Sequence, residues 1–109
     1  MDKPREYNAE FLYLTTIGWK TGNPHEIEIW YVQHGNCYYL ISGGRKEAHW
    51  VKNLMHNSHI SFWVQGRTHN GTGRVINSAN EPELAEIIDE LMHTKYQWND
   101  GLIIELCPE

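Results

Sequence analysis

Most of the chain between residues 11 and 76 sets its apolar positions in short runs or in alternation, the spacing of strands, while two segments switch to helical spacing. Phe11 to Ile17 is rich in aromatic and β-branched residues and stops at Gly18, which predicts a strand. Gly18 to Pro24 reads as a turn. From His25 to Gln33, Ile27, Ile29 and Tyr31 alternate with Glu26, Glu28 and Trp30, predicting a second strand. His34, Gly35 and Asn36 tolerate positive φ, and the apolar run Cys37 to Ser42 follows at hairpin distance. After Gly43 and Gly44, the stretch Glu47 to His56 places Trp50, Val51, Leu54 and Met55 on one helical face. Ile60 to Gln65 and Thr68 to Ile76 return to strand character around a turn at Gly66 and Arg67, and Gly71 and Gly73 predict a bulge or bend. Asn80 and Glu83 have the spacing of an N-cap and its capping-box partner. The helix they introduce carries a core stripe of Leu84, Ile87, Ile88, Leu91 and Met92. Leu102 to Leu106 is a last strand, closed by Pro108.

The order β-β-β-α-β-β-α-β, with hairpin connections, predicts a mainly β (α+β) fold: a six-stranded antiparallel barrel flanked or plugged by two helices. At 109 residues this is one domain spanning 1–109, with residues 1–10 expected as a poorly ordered or packing segment. The chain contains no apolar stretch of the roughly 18 residues that span a bilayer and no apolar run at its start, so a cytoplasmic protein without an integral membrane segment is expected. Cys37 and Cys107 lie far apart without CxxC spacing and read as two partly buried free thiols, with no disulfide framework and no zinc site.

The formal net charge is −5, yet its distribution is uneven. Residues 81–109 hold eight acids against Lys95 alone, whereas residues 11–80 carry six Lys and Arg against three Glu. A mildly basic body suits a small phosphorylated ligand, and a nucleic acid, which needs a wide basic face, is not expected. Two turns could present cations to such a ligand. Gly18-Trp19-Lys20-Thr21-Gly22 brackets a cation and a hydroxyl with glycines, and Ser42-Gly43-Gly44-Arg45-Lys46 opens into the Trp50 helix. Each is also compatible with ordinary loop chemistry; together, on one rim, they would grip one phosphate. Trp30, Tyr31, Trp50, Trp63 and Trp98 could wall an apolar slot for a planar ring system, or fill a core or a dimer interface. The seven histidines are scattered, and His49 and His56, one face but about 10 Å apart along a helix, do not make a metal site. No GxSxG nucleophile motif occurs.

The segments Leu14-Thr15-Thr16-Ile17-Gly18-Trp19-Lys20-Thr21-Gly22-Asn23-Pro24 and Glu26 to Val32 resemble the LTTxGRKTGxPR turn and following W[YF]V strand of the deazaflavin-dependent nitroreductase family. Ala48 to Leu54 with His56-Asn57-Ser58 is similar to that family's xxWxxNLxxNP segment, Gly66-Arg67-Thr68 to its GGRT hairpin, and Tyr96 to Pro108 to its YGWxDGLPVEL ending. The resemblance implies the split β-barrel of the FMN-binding type, shared with pyridoxamine 5'-phosphate oxidases, and a homodimer with the ring near the subunit interface. FMN, 8-hydroxy-5-deazaflavin (coenzyme F-420) and no tightly bound cofactor all stay open. The resemblance implies phosphate contacts by Lys20 and Thr21, with the Ser42 to Lys46 loop and the Trp50 to Asn53 helix bordering the cofactor; the expected cofactor site is Lys20, Thr21, His25, Trp30, Ser42, Gly43, Arg45, Trp50 and Asn53, with Tyr31 and Trp98 on the substrate side. The expected activity is hydride transfer from the reduced cofactor to a small electron acceptor: a quinone, enone or nitro compound. No general acid or base is singled out, since a tyrosine, a histidine or solvent could protonate the product. A split-barrel module that binds or senses flavin or heme without catalysis is the alternative. Two positions depart from the family pattern: Trp19 replaces the first basic residue of the turn and His25 the basic residue after Pro24, both removing fixed positive charge.

Overall fold

The structure is a computed structural model and describes residues 10–109. Apart from Glu10, the segment expected to be poorly ordered or packing lies outside the described residues. Seven strands, one more than predicted, form a single antiparallel sheet: β1 (Phe11–Ile17), β2 (Pro24–Trp30), β3 (Val32–His34), β4 (Cys37–Ser42), β5 (His59–Val64), β6 (Arg67–Val75) and β7 (Leu102–Pro108). Helix α1 (His49–His56) follows a 3-10 turn at Arg45–Glu47, and α2 (Pro82–Tyr96) precedes β7.

The strand order is β2-β1-β5-β6-β7-β4-β3. Its two outer strands are consecutive in the chain, with Tyr31 alone between them. One residue spans only about 3.5 Å, so the sheet must roll until its edges nearly meet. The expected strand from His25 to Gln33 is therefore two strands on opposite edges, and the barrel is split at that seam. Tyr31 is 2% exposed there. Its N–H donates to the Tyr96 hydroxyl at 3.1 Å, and its carbonyl accepts from Lys95 Nζ at 3.0 Å. Trp30 stacks on Tyr96 at 4.6 Å, so the end of α2 clamps the seam.

Two cores explain why strand Cys37–Ser42 is apolar throughout. Tyr38 and Leu40 face the barrel interior with Leu12, Phe62 and Leu106, where α1 inserts Val51 and Leu54. Tyr39 and Ile41 face outward beneath α2, against Ile88 and Met92. Burying such side chains contributes about 1.5–3 kcal/mol each.

Several expectations need correction. Met55 is 53% exposed, and the polar Asn53 takes its place on the buried face of α1. On α2, Ile87 and Leu91 are 40% and 37% exposed, because a helix lying on one sheet face buries a narrower stripe: Ala85, Ile88 and Met92. Asn80 is not the N-cap; the helix starts on Pro82, whose fixed φ suits the first helical position, and Glu81 precedes it without a side-chain cap. Asn77 turns the chain instead, accepting the Ala79 N–H on its side chain and the Asn80 and Glu81 N–H groups on its carbonyl. No bulge occurs at Gly71, where both ladders run in unbroken register, and the β6–β7 ladder continues in register through Gly73. Gly71 serves close approach: a Cβ there would lie 2.2 Å from the Cys107 carbonyl oxygen.

The cysteines are not free thiols. Cys37 and Cys107 form a disulfide, S–S 2.04 Å, across 70 positions of sequence. The β4–β7 register pairs Tyr38 with Leu106, which sets Cys37 opposite Cys107 at a Cα separation of 4.5 Å, a non-hydrogen-bonded pair. No described helix is long and apolar enough to cross a membrane.

Candidate functional site

The turn between β1 and β2 is closed by its own backbone, Gly18 N–H to Asn23 carbonyl at 2.7 Å and Gly22 N–H to Gly18 carbonyl at 2.8 Å. Gly22 sits at φ +74°, a conformation that favours glycine. Asn53 ties this turn to α1. It is 5% exposed; its side-chain oxygen accepts the Trp19 N–H at 3.1 Å and its amide donates to Thr16 Oγ1 at 3.0 Å. Trp19 stacks on His56 at 4.7 Å, and the Lys20 ammonium lies 4.8 Å from the Trp19 ring centre, close enough for a cation–π contact.

This docking leaves a depression of about 240 Å³ lined by Gly18, Lys20, Thr21, His25, His49, Lys52 and Asn53. At its base Thr21 Oγ1 and His25 Nε2 converge over Gly18, 2.6 and 2.8 Å from where a Cβ would stand. The missing side chain thus leaves a hollow bounded by a hydroxyl and an imidazole. Among the described residues, no protein carboxylate pairs with Lys20, His25 or His49. A lysine ammonium that faces a hollow beside a hydroxyl and an imidazole favours an external anion, so Lys20, Thr21 and His25 fit the phosphate of a flavin or deazaflavin. A wider hollow of about 380 Å³ between Thr15, His59, Asn70 and Glu109 holds no Lys or Arg and includes a carboxylate, which disfavours an anion there.

The second cationic turn does not share this depression. Arg45, at φ +54°, pairs with Asp100 at 2.9 Å and lines a separate hollow with Gly43, Gly44, Lys46, Glu47, Gly101 and Leu102. Ser42 is buried and donates its hydroxyl to the Arg45 carbonyl at 3.1 Å, so it shapes the loop. Between the two hollows, Glu47 of one reaches Lys52 of the other at 3.8 Å.

Trp30 and Trp98 meet edge to face at 6.1 Å and, with Phe11, Glu28, Ile29 and Ile41, line a mainly apolar slot of about 540 Å³. The Trp98 ring also packs on Gly43, where a Cβ would stand 3.3 Å from it. Tyr31, expected beside Trp98, is buried at the seam with its hydroxyl accepting from Gln65 Nε2 at 3.0 Å. Trp50 packs against the barrel core.

The structure therefore brings Lys20, Thr21, His25 and Asn53 together, pairs Trp30 with Trp98 elsewhere, and leaves Ser42, Gly43 and Arg45 in a third place. His49 and Lys52 are not among the expected contact residues, although Lys52 lies in the helix segment expected to border the cofactor. Their spacing carried the signal: positions 49, 52 and 53 stand at i, i+3 and i+4 and so share a helical face. Cys37, Cys107 and Glu105 form the one described cluster with metal-ligand spacing. The two sulfurs are bonded to each other, and Glu105 is held by Tyr39 and Arg74, each at 2.7 Å.

Comparison with known proteins adds the chemistry. A model of the F420H(2)-dependent quinone reductase family matches residues 5–102. A comparison with curated proteins finds no match. Among solved structures, a Listeria innocua protein assigned as a pyridoxamine 5'-phosphate oxidase is similar at TM-score 0.68 and 18% identity, covering 92% of this chain and 84% of that one. An F420-H2 dependent reductase is similar at TM-score 0.66 and 16% identity, covering 94% and 99%. A FAD-binding protein from Mesorhizobium loti is similar at TM-score 0.69 and 14% identity, covering 92% and 81%. These likenesses establish the split barrel, and the family match across nearly the whole sequence carries the rest: the chain belongs to the F420H(2)-dependent quinone reductase family, enzymes that use a deazaflavin for reduction.

Proposed function

We propose that this chain binds a reduced deazaflavin, with FMN as the competing cofactor, and reduces a small electron-poor acceptor such as a quinone, enone or nitro compound. The observation that carries the reading is the hollow over Gly18, where a hydroxyl and an imidazole converge within a depression also lined by Lys20, which has no carboxylate partner among the described residues. When bound, the cofactor supplies the hydride. The protein's own residues do the rest. Lys20 and Thr21 hold the phosphate, His25 adds a hydrogen bond, and the nearly buried Asn53 positions the turn through its bonds to Trp19 and Thr16. Trp30 and Trp98 offer apolar surface that excludes water from a planar ring or an acceptor. Arg45 takes part only if its guanidinium leaves Asp100. The slot is open at the surface beside β2, an edge strand, and we assign that side to a second copy of the chain in a homodimer.

The test is a titration of coenzyme F-420 and of FMN into the purified protein and its Lys20→Ala variant. Removal of one charge-assisted contact is expected to weaken binding by about tenfold or more while the melting temperature stays within a degree or two. Equal affinity of the two proteins rejects the phosphate role of Lys20.

A further inference from the structure

The positive charge missing at positions 19 and 25 has a substitute on α1. Lys52 lines the same depression as Lys20, and its backbone is fixed, because its neighbours Val51 and Asn53 are buried. Its ammonium is shared with Glu47, at 3.8 Å, with side chains 38% and 88% exposed. A pair that long and that wet contributes little, whereas an ammonium and a phosphate oxygen in direct contact lie about 2.7–2.9 Å apart. Glu47 stands on the 3-10 turn that lines the neighbouring hollow, so the pair forms the ridge between the two depressions.

We infer that Lys52 is a second anion contact, supplied by the helix, and that Glu47 competes with the ligand for it. This rests on the phosphate reading above. Binding draws the Lys52 ammonium from the exposed carboxylate into the depression, so the phosphate lies between a turn lysine and a helix lysine. Glu47 lowers affinity by occupying that cation. Affinity then depends on a competition within the protein, and the two residues affect it in opposite directions.

The experiment titrates coenzyme F-420, and separately FMN, into the wild type, Lys52→Gln, Glu47→Gln, the double variant and Lys20→Ala, with melting temperatures as a check on folding. Lys52→Gln is expected to weaken binding about tenfold. Glu47→Gln is expected to tighten it about two- to threefold, and the double variant to match Lys52→Gln, because Glu47 has nothing to compete for once Lys52 is gone. If Lys20→Ala loses affinity while Lys52→Gln binds like the wild type, the inference is overturned and the phosphate reading stands. If Glu47→Gln tightens binding equally with or without Lys52, the competition is overturned. If the wild type binds neither cofactor, or no lysine substitution matters, both fall together.

Discussion

Asn53 connects the interior of the protein to its candidate site with a single amide. Replacing it with Leu would leave the Thr16 hydroxyl and the Trp19 N–H without partners, and a buried group so orphaned costs about 1–3 kcal/mol. The Asn53→Leu variant is expected to melt lower and also to bind cofactor more weakly, because the turn carrying Lys20 is no longer docked. Lys20→Ala is expected to change affinity alone. Comparing the two by calorimetry and titration separates positioning from contact; a loss of affinity in Asn53→Leu without any loss of stability would contradict this account. Gly71 makes a different demand. Its Cβ would overlap the Cys107 carbonyl, so Gly71→Ala is expected to destabilise the barrel by more than the ~1 kcal/mol of an ordinary strand substitution, measurable by urea unfolding. Family likeness singled out Asn53, but its bond to Trp19 spans 34 positions, and no local pattern encodes it. His49 and Lys52 share the helical face of Asn53, but solvated lysines and histidines have the same spacing, so position alone does not separate them from ordinary surface residues.

Among the elements, strand type and order were read from alternation and glycine punctuation, and the errors share a cause. The His25–Gln33 segment alternates without interruption, so sequence could not show that Tyr31 passes from one edge of the sheet to the other. Likewise nothing local pairs Cys37 with Cys107; the β4–β7 register does. By chain-entropy reasoning, a cross-link closing a loop of 70 residues stabilises the fold by up to about 4 kcal/mol. Reduction by a dithiol is therefore expected to lower the melting temperature markedly while leaving cofactor affinity within about twofold, since neither cysteine lines the phosphate depression. An unchanged melting temperature on verified reduction would show that the bond contributes no stability. Disulfides are rare in the cytosol, which sets this bond against the cytoplasmic location expected from sequence; thiol counting on protein lysed under alkylating conditions measures which form is present.

Across the whole molecule, Arg74 joins the sheet to α2, reaching Glu105 on β7 and Glu81 just before the helix, each at 2.7 Å. Its hydrogen bonds hold the Glu81 carboxyl below the ordinary value of 4.5. The unfolded chain therefore takes up this proton more readily than the folded one. The stabilisation is present above about pH 4.5 and disappears as pH falls through the depressed folded value. Acid unfolding followed by tryptophan fluorescence is expected to begin at higher pH in the Glu81→Gln variant, and an identical acid limb in variant and wild type would remove this link. The acidic end segment is thus partly committed to holding α2, while the depression that contains Lys20 and Lys52 has no carboxylate among its lining residues. That polarity is what the functional reading needs, and a crystal structure with coenzyme F-420 bound measures it most directly. The account predicts the phosphate within hydrogen-bond distance of Lys20 and Thr21, over Gly18. A phosphate seated instead beside Arg45, with the Gly18 hollow filled by solvent, would contradict it.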